Sequence, residues 1–216
     1  MQVALIHALK ASRQPIEQAF SEVWPKACLS HRLDETLLPE LQLKGELDAS
    51  ITRRLRSHVE DAVAGGADAV QLTCSAFNPC VEEWRDTLPV PVLRSDEGLL
   101  HEALSMGRLL GLVATVQETL PAIEDGIRRQ AAARSLSVDS RRMFVPGAME
   151  ALLSGDAAAH DARVLATVQG MISHCDVLLL TQYSLAHLRD RLGTLIHVPV
   201  LDAPRATVRH LKIVHG

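Results

Sequence analysis

The second half of this chain repeats the first at a fixed offset, and that repeat limits its possible folds more than any other feature. Ala67-Asp-Ala-Val-Gln-Leu-Thr-Cys74 is matched 108 residues later by Cys175-Asp-Val-Leu-Leu-Leu-Thr-Gln182. Each copy holds an Asp, a short apolar run, a Thr and a closing polar position. Val90-Pro-Val-Leu93 and Val198-Pro-Val-Leu201 keep the same register. The first strand matches more weakly, with His7 falling opposite Thr115 at the end of Gly111-Leu-Val-Ala-Thr115. The offset is half of the 216-residue length, so the chain reads as two copies of one unit. A duplicated fold sets strand ends in pairs, His7 with Thr115 and Cys74 with Gln182. One half then carries a thiol that the other lacks.

Short apolar runs rich in β-branched residues alternate with amphipathic helical patterns. Strands are expected at Val3–Ile6, Ala69–Leu72, Val90–Leu93, Gly111–Ala114, Met143–Pro146, Val177–Leu180 and Val198–Leu201. Helices are expected at Gln14–Val23, Ala49–Ala64, Asn78–Trp84, Glu97–Leu104, Leu120–Ala133, Asp161–His174 and from about Ser184 to Arg191. Gly65-Gly66 closes the second of these, as glycine does at or beyond a C-cap. The polar stretch His31–Glu35, which contains Asp34, receives no assignment. Strands alternating with helices of this length indicate an α/β fold with parallel sheets. Runs apolar at nearly every position, such as Val177–Leu180, suit a sheet covered on both faces. Two pseudo-symmetric lobes follow, one from residues 1–95 plus 206–216 and the other from 96–205. Ligands bind beyond the carboxyl ends of strands in open parallel sheets. The facing sheets therefore enclose a cleft at His7, Cys74, Thr115 and Gln182.

The composition excludes several classes. The net charge of −4 leaves no basic footprint, and six aromatic residues supply little surface for stacking bases, so no nucleic-acid partner is expected. No apolar stretch reaches the ~18–20 residues needed to span a membrane. The N-terminus, Met1-Gln-Val-Ala-Leu-Ile-His7, has no charged leader and no small-residue cleavage site. A cytoplasmic protein with free thiols is the expectation. Cys28, Cys74, Cys80 and Cys175 form no CxxC pair, and the ten histidines are scattered, so no metal site is expected.

The segment Ala64-Gly-Gly-Ala-Asp-Ala-Val-Gln-Leu-Thr-Cys-Ser-Ala76, with Val90-Pro-Val-Leu93 behind it, resembles the aspartate/glutamate/hydantoin racemase superfamily. That superfamily also includes arylmalonate decarboxylase and maleate isomerase. The second-half copies and the opening Val3-Ala-Leu-Ile-His-Ala8 extend the resemblance over most of the chain. It implies two flavodoxin-like lobes, a site between them, and cofactor-independent proton transfer at a carbon next to a carboxylate. Its racemases hold one cysteine on each face of the substrate, one removing the α-proton and the other delivering one. Cys74 matches the first cysteine, but the second position is Gln182. An amide neither accepts nor delivers a proton at neutral pH, so the two-thiol mechanism is not available. Cys175 does not replace it, because it precedes its strand and belongs near the opposite sheet edge.

The turn after Cys74 leads into a helix, whose free N–H groups and dipole would favour an anion and tip the thiol toward thiolate near neutral pH. Ser75, Ala76 and Asn78 are candidates to hold a substrate carboxylate. Thr115, Val116 and Thr119 form the matching cradle in the second lobe. Gln182 and Ser184, with Tyr183 between them, complete the substrate-binding set. Tyr183 taken alone reads as structural, as do Asp34 and Asp96. The racemases commonly carry an acidic residue at the end of the first strand, so His7 replaces it as a catalytic acid/base or as a neighbour that raises the thiolate fraction.

The leading function is an isomerase or racemase acting on a small carboxylic acid, an amino acid or a related compound, with Cys74 as acid/base. A decarboxylase or other lyase, an isomerase with Cys74 as nucleophile, and a non-catalytic carboxylate binder are the alternatives. Relatives are often dimers or larger, so a homo-oligomer is left open.

Overall fold

The computed structural model describes residues 1–172 and 175–215, without the His215 side chain. The first half runs β1 (Gln2–His7), α1 (Arg13–Val23), β2 (Cys28–Leu33), α2 (Leu37–Lys44), α3 (Ala49–Ala64), β3 (Ala69–Leu72), α4 (Asn78–Trp84) and β4 (Val92–Leu93). The second half runs α5 (Glu97–Met106), β5 (Leu109–Ala114), α6 (Thr119–Ala133), β6 (Asp139–Phe144), α7 (Ala148–Leu153), α8 (Ala157–Met171), β7 (Val177–Leu180), α9 (Arg189–Leu195), β8 (Val200–Asp202) and α10 (Ala203–His215). Two four-stranded parallel sheets result, ordered β2-β1-β3-β4 and β6-β5-β7-β8. One topology is used twice. Among the described residues no helix is long and apolar enough to cross a membrane.

The polar residues of the repeat have structural work. A carboxylate oxygen of Asp68 accepts the Gln2 N–H at 2.6 Å, and one of Asp176 accepts the Leu109 N–H at 2.8 Å. Each Asp thus pins the start of the first strand of its sheet. The hydroxyl of Thr73 donates to the Ile6 carbonyl at 3.2 Å, and that of Thr181 donates to the Val113 carbonyl at 2.6 Å. The Pro91 and Pro199 carbonyls each accept a strand N–H, from Val70 and Leu178.

One sequence expectation is off by a residue. Ile6 pairs with Leu72, whereas Val113 pairs with Leu180. The carbonyl of His7 accepts from Asp34 and that of Ala114 from Val145, so His7 corresponds to Ala114, and Thr115 to Ala8. The connection from β1 to β3 is one residue shorter than that from β5 to β7. An apolar run buried on both faces does not reveal such a slip. Side chains alternate across a strand, so one residue turns His7 onto the face opposite to the one expected.

The edge strands also differ from expectation. β2, Cys-Leu-Ser-His-Arg-Leu, is half-exposed and polar, and its end, His31–Leu33, overlaps the stretch His31–Glu35 left without assignment. β6 begins at Asp139, before the apolar Met143-Phe144 that marks its end. Prolines delay β4 and β8, so they start at Val92 and Val200. The expected helix after Gln182 is a 3-10 turn, Tyr183–Leu188, followed by α9. α8 starts earlier than expected, capped by the Asp156 carboxylate on the Ala159 N–H, and His174 lies outside the described residues.

A central apolar core joins the lobes, with Leu5 of β1, Phe20 of α1, Leu100 of α5, Leu112 of β5, Leu179 of β7 and Leu211 of α10 all in one cluster. α10 packs on both α1 and α5. Gly98 permits its approach to α5, since a Cβ there would lie 2.5 Å from the Ala206 carbonyl oxygen. Gly98→Ala is therefore expected to destabilise the protein by about 1–3 kcal/mol through overpacking. Gly193 in α9, where a Cβ meets nothing within 4 Å, should gain about 0.5–1 kcal/mol as Gly193→Ala. Urea unfolding of both variants checks the pair; equal midpoints would contradict the α5–α10 packing.

Candidate functional site

β3 and β7 emerge at their carboxyl ends with the same backbone and different side chains. Cys74 leaves β3 extended, at φ −127° and ψ 117°, before a 3-10 turn at Ser75–Phe77. Gln182 leaves β7 at φ −119° and ψ 144°, before its own 3-10 turn. Between them lies a cavity of about 20 Å³, lined by Leu9, Ser12, Leu38, Thr73, Cys74, Ser75, Val116, Thr119, Gln182, Tyr183 and Ser184. The structure thus brings together the expected Cys74, Ser75, Val116, Thr119, Gln182, Tyr183 and Ser184. It contains no Lys or Arg in that lining.

The two lobes touch across the cavity, where the Ser75 hydroxyl donates to the Thr119 hydroxyl at 3.2 Å. On the second-lobe side, the Gln182 amide oxygen accepts the Thr115 N–H at 2.5 Å and the Thr115 hydroxyl at 3.0 Å. Gln182 therefore staples the ends of β5 and β7 through its oxygen while it lines the cavity. Thr115 is spent on this staple and does not line the cavity.

Cys74 is in the opposite electrostatic condition from that expected. Burial pushes its thiol up to about 12; the Ala76 N–H that donates to the sulfur pulls it down, and Glu118 adds a further upward push. One N–H and a short turn do not offset the loss of water around a thiolate. In this closed state Cys74 is a thiol.

His7 also stands apart from the cavity wall. Its Nδ1 is 2.9 Å from the Thr73 hydroxyl and 3.0 Å from that of Ser12, and both of those residues do line the cavity. Its Nε2 lies 3.0 Å from Nδ1 of His31. Burial first, then His31 and Arg13, lower its pKa to about 4, while Glu17 opposes them.

Of the remaining expected residues, Ala76 is core and contributes its N–H. Asn78 is fully buried and its amide oxygen accepts from the Ser95 N–H and hydroxyl, at 2.9 and 3.1 Å. The Tyr183 hydroxyl donates to Thr207 at 3.0 Å, away from the role of a ligand. Asp96 is held by the Arg94 guanidinium through two bonds of 2.8 and 2.9 Å, and Asp34 by Arg54, His58 and Thr36. Sequence reasoning passed over Leu9, Ser12, Leu38 and Thr73. Leu9 and Ser12 sit in the loop after β1, at the sheet edge where ligands gather, which is the signal that would have found them. Leu38 follows the unassigned edge strand, and Thr73 was read only as a repeat residue.

Among the described residues, His160, Asp161 and His187 are one group whose ligand atoms fall within 4.8 Å of each other. Asp161 already accepts from both imidazoles at 2.8 Å. The group is apart from the cavity lining.

A protein-family profile described as Asp/Glu/Hydantoin racemase matches residues 17–211. A search of curated protein sequences gives no match. Solved structures are similar in fold. Allantoin racemase from Pseudomonas fluorescens is 19% identical with a TM-score of 0.73, over 99% of this chain and 90% of that one. Allantoin racemase from Klebsiella pneumoniae is 16% identical with a TM-score of 0.75, over 99% and 87%. Picrophilus torridus aspartate racemase is 12% identical with a TM-score of 0.77, over 98% and 93%.

Two measurements test this geometry. At pH 7.5 without ligand, iodoacetamide should label exposed Cys28 first and Cys74 at least ~100-fold more slowly, because only the thiolate reacts. Mass-spectrometric mapping reads the order; comparable rates would mean an open, ionised Cys74. For His7, the unfolded imidazole takes up its proton near the ordinary histidine value and the folded one only near 4. Between those values the unfolded chain binds more protons, so stability falls as pH is lowered through that window, by up to about 3 kcal/mol. Urea unfolding from pH 7 to 4, with NMR titration of the His7 ring, checks the sign and the residue.

Proposed function

The chain belongs to the Asp/Glu/hydantoin racemase family, and on that premise we propose that it is a cofactor-independent isomerase of the racemase type. It moves a proton at the carbon next to a carboxylate or equivalent carbonyl of a small substrate, with Cys74 as acid/base. The observation that carries this reading is the position of Cys74: a half-buried thiol at the end of β3, in a cavity shared by both lobes whose polar lining is Ser12, Thr73, Ser75, Thr119, Gln182, Tyr183 and Ser184. The expectation that the protein is cytoplasmic stays with this proposal.

A space of about 20 Å³ holds a single water. Substrate therefore enters by parting the lobes at the Ser75–Thr119 bond. Ser184 lines both the cavity and an outer groove of about 420 Å³, which supports entry on that side. The freed hydroxyls of Ser75 and Thr119 then hold the carboxylate. The Nε2 of Gln182 donates to an oxygen of the enediolate as it forms, and preorganised donors of this kind stabilise developing charge. The lining contains no cationic side chain, which favours a monocarboxylate or a neutral ring over a dicarboxylate. Because burial keeps Cys74 protonated, its thiol starts as the proton donor to one face of the carbanion. That same feature gives some weight to a second reading, a lyase in which Cys74 protonates the enediolate left by decarboxylation.

Proton exchange tests the proposal. The protein is incubated in D₂O with α-amino acids, α-hydroxy acids, aspartate, glutamate, hydantoins and allantoin, and loss of the Cα–H signal is followed by NMR. In Cys74→Ala, exchange from at least one enantiomer is expected to fall by about 10²-fold or more. Undiminished exchange in that variant would remove Cys74 from the chemistry, and release of carbon dioxide from a malonate-type acid would establish the lyase.

A further inference from the structure

A one-thiol site that shuttles a proton needs a second carrier, and Gln182 is not one. Behind the cavity wall the structure holds an unbroken chain of hydrogen-bonding groups that ends in solvent. Thr73 Oγ1 lies 2.9 Å from His7 Nδ1, His7 Nε2 lies 3.0 Å from His31 Nδ1, and His31 Nε2 lies 3.2 Å from a Glu17 carboxylate oxygen. The ring planes of His7 and His31 are 12° apart, so the N–H of one can lie in line with the lone pair of the other. His7 is 1% exposed, while Glu17 is 40% exposed and bonded to Arg13 at 2.8 Å. The chain thus runs from a cavity hydroxyl to the surface in four groups. We propose that Thr73, His7, His31 and Glu17 form a proton relay between the cavity and bulk water, and that it is the second proton carrier of the site. This rests on the proton-transfer reading above.

The proton count gives the relay one direction at rest. Burial, and after it Arg13, also lowers the His31 pKa, with Glu17 opposing. Both rings are then neutral at pH 7, with one N–H each. The Glu17 carboxylate can only accept, so His31 carries its proton on Nε2 and accepts at Nδ1. His7 accordingly donates from Nε2 and accepts at Nδ1. Ser12 donates to the Leu9 carbonyl at 2.7 Å. The one proton of the Thr73 hydroxyl can point to the Ile6 carbonyl at 3.2 Å or, by rotation about its C–O bond, to His7 Nδ1 at 2.9 Å, and the relay uses the second orientation. With the Thr73 hydroxyl turned to His7, every donor points outward.

When the substrate C–H proton moves to Thr73 Oγ1, the Thr73 proton passes to His7 Nδ1. The His7 Nε2 proton passes to His31 Nδ1, and the His31 Nε2 proton to Glu17, which releases it to water. The electron pair of the broken C–H bond stays on the substrate as an enediolate. The Cys74 thiol then protonates the enediolate carbon, and water restores the thiol once the lobes part. Run backwards, the same shifts deliver a proton from solvent. Arg13 and Glu17 are the charged groups facing the two rings, and both sit at the outer end.

The test combines a ligand-free measurement with a catalytic one. Long-range ¹H–¹⁵N NMR of the resting protein at pH 7 should find both rings neutral with the proton on Nε2; a proton on His7 Nδ1, or an imidazolium, would overturn the relay whatever the substrate proves to be. With whichever acid the D₂O panel identifies, His31→Gln and Glu17→Gln should each slow exchange, the former by about 10²-fold, with KM unchanged. Added imidazoles should rescue His31→Gly to an extent that follows their pKa, which a packing defect would not reproduce. Wild-type exchange that persists at full rate in His31→Gln would sink the relay and leave the assignment of Cys74 intact. No exchange by wild type with any compound would instead sink the functional reading, and the tautomers would still judge the hydrogen-bond chain.

Discussion

Two threonine hydroxyls hold the strand ends on which everything else depends. Thr73 and Thr181 each donate to a carbonyl near the end of the neighbouring first strand, Ile6 and Val113. Each of those carbonyls also accepts the backbone N–H of the same threonine, at 3.0 and 3.3 Å, so the hydroxyl adds a second bond to a buried carbonyl where the sheet stops. It also aims the next residue outward from the sheet, at the same point in both lobes. Without those clamps Cys74 and Gln182 would not be set opposite each other across one small cavity.

The duplication supplies equal scaffolds, and chemistry arises where they differ. Gln182 accepts two bonds from Thr115 and becomes part of the frame. Cys74 accepts the Ala76 N–H and has its pKa pushed up to about 12 by burial. The frame side is preorganised to hydrogen-bond; the thiol side retains a proton that it can give. Thr73 carries the asymmetry further. Its counterpart Thr181 only clamps, whereas Thr73 also touches His7, because the slip in β1 places a histidine beside it where β5 has Ala114.

The features legible in the sequence were those written in repeated, buried or punctuated residues. Val177–Leu180 and Ala69–Leu72 are strands as read; the first is four apolar residues in a row and the second has Gln71 as its one polar residue, which suits a sheet covered on both faces. Ala49–Ala64 is a helix as read, from its apolar spacing and the glycines after it. β2 was not legible. An edge strand of Cys-Leu-Ser-His-Arg-Leu is half solvated and carries no alternation that separates it from a loop. Its loss concealed His31, and with it the second ring of the histidine pair.

The sequence by itself determined the α/β duplication, the family resemblance and the identity of the unequal pair, Cys74 and Gln182. Those depend on residue types at fixed spacing, which a chain displays without folding. Tertiary structure alone decided the register of β1, the protonation of Cys74 and the partners of His7. A one-residue slip leaves an apolar pattern unchanged but reverses a face, and a pKa depends on how much water the finished fold excludes. His7 and His31 lie in β1 and β2 and Thr73 just past the end of β3, so only the packed sheet could set them in line.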